Sequence, residues 1–141
     1  MKEMLEAVMA RIKKEVPGFR WIDVNVGQMA TENPPVSYPC ALVDIPNLRY
    51  ENITESGSIQ SKELTIEVEL YFIVRVPANM NAPEPIRAQG LEHLTLMEDV
   101  YRTLQGFETG HYSPLQCIGI TRSKDYYPRS ITLTFTCLNE V

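Results

Sequence analysis

Polarity alternates most regularly over residues 64–76, LTIEVELYFIVRV, where Leu64, Ile66, Val68, Leu70, Phe72, Val74 and Val76 share one side. Thr65, Glu67, Glu69, Tyr71, Ile73 and Arg75 occupy the other. Successive side chains on a strand point to opposite faces, so a period of two predicts a strand with one apolar face for a core and one mixed, mostly polar face. The β-branched and aromatic content agrees. At about 3.3 Å per residue such a strand reaches roughly 40 Å, well past the usual five or six residues. A strand of that length bends or outruns its own domain, and its unpaired backbone groups invite pairing with another chain.

Ahead of this stretch, Met1, Leu5, Val8, Ile12 and Val16 recur at helical spacing, with Met4 and Met9 alongside, and predict an amphipathic helix over residues 3–16. Pro17-Gly18 ends it. Residues 19–29, FRWIDVNVGQM, set Ile22, Val24 and Val26 against Trp21, Asp23 and Asn25 and predict a strand. After a loop bearing Pro34, Pro35 and Pro39, the apolar run 40–45, CALVDI, suits a strand buried on both faces and closed by Pro46. Residues 47–61 are polar, with Gly57 near their middle, so the flanking strands are expected to continue into a long exposed hairpin with its tip at residues 55–58. Too polar to offset its own ordering by burial, the hairpin is expected to be mobile in the free chain. It either orders against a partner or idles on the surface.

The long strand stops at Pro77, and Leu91, Leu94, Met97, Val100, Tyr101 and Leu104 mark a second amphipathic helix over residues 86–105, stopped by Gly106. Glu92 and His93 fall on or beside its wet side. Residues 115–121 predict a short strand and RSKDYYPR a turn, after which Ile131, Leu133, Phe135 and Cys137 alternate with Ser130, Thr132, Thr134 and Thr136 in a last strand. Its threonine side matches the Thr65, Glu67 and Glu69 side of the long strand, so the two are expected as antiparallel neighbours or near neighbours. The order helix, strand, strand, long strand, helix, strand, strand predicts an α+β, two-layer fold. It has a mostly antiparallel sheet of about four or five strands, two helices packed on one face and a long protruding hairpin.

With 141 residues, 44% of them hydrophobic and 22% charged, the chain is expected to form one domain, residues 1–141, of ordinary globular composition. A net charge of -5 with scattered basic residues disfavours specific nucleic-acid binding, which needs Lys and Arg gathered on one face. No apolar run is long enough to span a membrane, and MKEMLEAVMARIKKEV is too charged for a secretory signal, which places folding in a cytoplasm. Cys40, Cys117 and Cys137 are odd in number and far apart, each in an apolar run, and are expected to be buried free thiols. Neither His93 nor His111 lies near a cysteine at ligand spacing, so no metal and no cofactor are expected. Glu67 and Glu69 lie about 7 Å apart on one strand face, a spacing open to acid–base work. A hydrated face opposite Thr132 and Thr134 explains them better, and with no phosphate loop and no Gly-x-Ser-x-Gly no enzyme is expected.

The helix MLEAVMARIKKEV, the proline-preceded strand YPCALVDI, and the polar hairpin running into ELTIEVELYFIVRV follow one another, and LEHLTLMEDVYRTLQGF and SITLTFTC complete the series. In element order, length and texture, over nearly the whole chain, the sequence resembles the tail terminator or tail-completion proteins of long-tailed bacteriophages. The resemblance implies a homo-oligomeric ring, commonly hexameric, that stops tail-tube polymerisation and presents a surface to the head connector. Its implied partners are further copies of itself, the tail tube protein and the head-tail connector protein. Its implied place is the virion tail of a phage or prophage, assembled in the bacterial host cytoplasm. Ring contacts are heterologous, with different patches meeting head to tail, and Tyr50, Ile53, Tyr71, Ile73, Arg75, Tyr126 and Tyr127 are the candidates for them. An acidic lining would repel phosphate and let DNA slide through, with Glu51, Glu55, Glu67 and Glu69 as candidates. The alternative is a non-catalytic cytoplasmic module that binds a partner strand through its sheet edge.

Overall fold

A computed structural model describes residues 1–125 and 127–140. The elements are α1 (Lys2–Glu15), β1 (Trp21–Val24), a 3-10 turn (Gln28–Ala30), β2 (Cys40–Asn52), β3 (Gln60–Phe72), α2 (Glu84–Leu104), β4 (Gln116–Arg122) and β5 (Arg129–Glu140). They build a 5-stranded sheet in the order β1-β2-β3-β5-β4, parallel only between β1 and β2. The fold is therefore the expected α+β arrangement, with β3 at its centre. The expected pairing of the long and last strands holds: Thr65, Glu67 and Glu69 face Thr136, Thr134 and Thr132.

Register explains the core. Val68 pairs with both Val43 and Leu133, Leu70 with Ala41 and Ile131, and Ile66 with Phe135, so the inner faces of three strands merge into one apolar surface. Met4, Val8 and Ile12 of α1 and Leu96, Val100 and Leu104 of α2 cover it, all of them buried. Each such side chain contributes about 1.5–3 kcal/mol relative to exposure, so this face is the main source of stability. Helix α1 ends where the backbone N–H of Val16 donates to the Ile12 carbonyl at 2.8 Å, just before Pro17 removes the next donor.

Three boundaries differ from the alternation. β3 starts at Gln60 and ends at Phe72, rather than spanning 64–76. Its partners explain the early end: β2 and β5 begin at Cys40 and Arg129, and each is preceded by a proline, Pro39 and Pro128, that has no N–H to extend a ladder. Ile73 and Arg75 consequently lie beyond the strand. β2 does not close at Pro46 but runs on to Asn52, with a register shift between Asp44 and Asn47. Proline is tolerated there because β1 pairs no further than Val43, which leaves the outer edge of β2 open. β1 is shorter than expected because Gly27, at φ 86, turns the chain into Gln28–Ala30.

The stripe of α2 is rotated from the expected one. Leu91 and Tyr101 are exposed at 44% and 38%, whereas Gly90, Leu96, Val100 and Leu104 are buried. His93, expected beside the wet side, is half-buried with its ring centroid 5.9 Å from that of Phe72. Gly90 sets the rotation: a Cβ at this position would lie 2.7 Å from the Val76 carbonyl oxygen, so only glycine lets the helix rest on the backbone of residues 76–78. Cys40 and Cys137 are buried free thiols, and Cys117 is half-buried and free. Among the described residues, no helix is long and apolar enough to cross a membrane.

Candidate interaction surfaces

The tip of the β2–β3 hairpin lies beyond β5, whose last pair with β3 is Glu140 opposite Ser61. Its ladder runs from Asn47 opposite Thr65 to Asn52 opposite Gln60. It closes where the Ile53 N–H donates to the Ile59 carbonyl at 2.8 Å, with Gly57 at φ 72 completing the turn. The Gln60 side chain donates to Asn52 Oδ1 at 2.9 Å, and the hydroxyls of Thr54, Ser56 and Ser58 bond to one another. Tyr50, Ile53 and Ile59 are exposed at 50%, 53% and 46%, beside the exposed Glu51 and Glu55. Large apolar side chains thus stand exposed on an otherwise polar tip.

The sheet face away from the helices carries Glu67, Glu69 and Tyr71 on β3 beside the threonines of β5. Glu69 is held: it accepts from the Tyr71 hydroxyl at 2.6 Å and from Asn25 Nδ2 at 3.0 Å. The Asn25 bond reaches across β2 and closes the face over Leu42, which is fully buried. Gln28 fixes that crossing, its amide donating to the Val24 carbonyl while its oxygen accepts from the Val26 N–H, both at 2.8 Å. Desolvation, then the neighbouring Glu69 and Asp44 carboxylates, push the Glu67 carboxyl up. Desolvation, then the bond to Glu69, raise the Tyr71 phenol. Burial and then Asp23 push the Cys40 thiol up to about 12, and burial takes Cys137 to about 11, which makes both poor nucleophiles. Among the described residues, no group of three or more His, Cys, Asp or Glu side chains is placed to hold a metal.

Two clefts open at the end of β3 opposite the hairpin. The larger, about 610 Å3, lies between α2 and the chain leaving β3, and its lining includes Arg20, Phe72, Ile73, Arg75, His93 and Leu96. The His93 ring lines this cleft with its Nδ1 atom buried. Desolvation, then Arg129 and Arg122, lower the imidazole pKa against a bond to the Gly90 backbone that raises it. The smaller cleft, about 400 Å3, brings Tyr71 and Tyr127 together with Met29 and Pro128.

The expected surface residues thus divide by place. Tyr50, Glu51, Ile53 and Glu55 sit on the hairpin, Glu67 and Glu69 on the open face, and Tyr71, Ile73, Arg75 and Tyr127 at the far clefts. Tyr126 lies outside the described residues. Pattern reading missed Arg20 and His93, which only the fold brings to the cleft. It also missed Ile118 and Ile120 of the edge strand β4, exposed at 63% and 44%. The alternation of CIGITR around Gly119 was a signal that could have found those two.

Two helices on one face of a mixed five-stranded sheet, with a hairpin extending from its centre, define the class as a two-layer α+β fold. The same fold occurs in a chain of the structure described as "Virion of native gene transfer agent (GTA) particle", with a TM-score of 0.57 over 98% of this chain and 95% of that one. The two sequences are 13% identical, so the likeness establishes shared architecture. No family model matches the sequence, and no curated protein matches it.

Proposed function

We propose that this chain is a structural, non-enzymatic subunit of a phage-like virion, and specifically a tail terminator or tail-completion protein. Residues 1–141 act as one subunit that closes the tail tube as a homo-oligomeric ring and meets the head connector. The observation that carries the reading is the fold match to a virion chain over nearly the full length of both proteins. Three features of the chain agree with it. The hairpin and the clefts lie at opposite ends of β3, as a head-to-tail contact requires. Apolar side chains are exposed on the hairpin and on β4. The net charge of -5 suits a passage for DNA, with Glu67 and Glu69 of the open sheet face toward the lumen.

Sedimentation velocity of the purified chain across a wide concentration range tests the ring. The expected outcome is a concentration-dependent closed species several times the monomer mass. A strict monomer at the highest attainable concentration overturns self-assembly. It favours instead a partner-binding module that uses the exposed β4 edge, with its Ile118 and Ile120.

A further inference from the structure

The two ends of β3 carry complementary chemistry. At one end, the larger cleft presents the exposed Arg20 and Arg75 beside apolar lining from Phe72, Ile73 and Leu96. Neither arginine forms an ion pair with a described residue. Glu92 is the acidic side chain in the lining; against it stand Arg20 and Arg75, with Arg122 and Arg129 close enough to His93 to disfavour its protonation. The chain at residues 73–75 runs past the last ladder pair, Phe72 with Arg129, and makes no backbone hydrogen bond to a described residue. At the other end, the hairpin tip over residues 51–60 carries Glu51 and Glu55 and no Lys or Arg, together with the exposed Ile53 and Ile59. A strand the length of β3 separates the two, roughly 40 Å at 3.3 Å per residue, so a hairpin cannot fold back into its own cleft.

We propose that the hairpin tip of one copy docks in the α2–β3 cleft of the next, its isoleucines against the apolar lining and its glutamates toward Arg20 and Arg75. This rests on the ring reading and names the contact that builds it. Repeating one such contact is heterologous by construction, and it closes a ring when the rotation between copies closes. Opposite charges at the contact favour this register and disfavour hairpin-to-hairpin pairing, which would set glutamates against glutamates.

The test combines crosslinking with association. Ser56→Cys in the tip and Gln89→Cys in the cleft are made separately, both at exposed positions. Under mild oxidation a disulfide-linked pair is expected when the two proteins are mixed, but not from either alone. Arg75→Glu is expected to weaken self-association by roughly tenfold or more, and Arg75→Glu with Glu55→Arg to recover it. Far-UV circular dichroism checks that each variant folds. An oligomer that survives both Arg75→Glu and replacement of residues 54–58 by Asn-Gly overturns the docking and leaves the ring reading standing. A wild-type chain that stays monomeric overturns both. In assembled particles, crosslinking of Gln89→Cys to another tail protein instead of the Ser56→Cys chain assigns the cleft to a foreign occupant and overturns the docking.

Discussion

Single residues set how the second helix lies on the sheet. Gly90 is exchanged for backbone contact with residues 76–78, and the added methyl of Gly90→Ala would sit at 2.7 Å from Val76 oxygen and 2.8 Å from the Ala78 nitrogen. Alanine favours a helix by about 1 kcal/mol over glycine, but a clash against fixed backbone typically costs about 1–3 kcal/mol. The clash wins, and urea denaturation of Gly90→Ala should show a net loss of stability, where the same change on a free helix would show a gain. His93, one turn along, gives a pH signature. Burial and the nearby arginines hold its native pKa below the ordinary 6.5, so the unfolded chain takes up the proton first as pH falls. Stability should therefore decline as pH drops below about 6.5, until the native imidazole protonates as well. His93→Gln should flatten that part of the melting-temperature profile. Neither residue could be placed from helical spacing alone. The rotation of α2 depends on a segment passing beneath it, and nothing in its own periodicity encodes that neighbour.

The elements were legible where one face is dry and the other wet. β3 and β5 alternate along their length because helices cover one side of both, and their mutual register follows from matching those sides. Phe135 is fully buried at the middle of this match, opposite Ile66. Truncating it in Phe135→Ala should lower stability by about 3–5 kcal/mol in chemical denaturation, since so central a site cannot collapse around the void. Boundaries were less legible, for a physical reason that names itself. Alternation continues through Val74 and Val76, but the ladder ends when its neighbours reach Pro39 and Pro128, and those prolines lie far away in sequence. Pro46 shows the converse: a proline that looks like a stop is harmless where the strand has no outer partner.

At the scale of the whole molecule, the fold class, the helix-covered layer and the projecting hairpin could all be read from residue order. The clefts could not, since Arg20, Arg75 and His93 meet only through tertiary packing. Of the surface residues proposed from pattern, those on the hairpin stand together and those beyond β3 stand together, at opposite poles of one strand. The sedimentation test of the proposed ring belongs to this scale: if the two poles are the contacts, copies join in series rather than in face-to-face pairs, and a mass well above that of a single chain is expected.

Pro39 and Pro128 carry one more consequence. They seal the sheet at one extremity while the hairpin keeps the other unfinished, and that gives the subunit a direction, like an arrow with a blunt tail and a sharp point. Where copies join pole to pole, the arrows run in one sense around the whole series, and a copy set in backwards meets a like pole at each end.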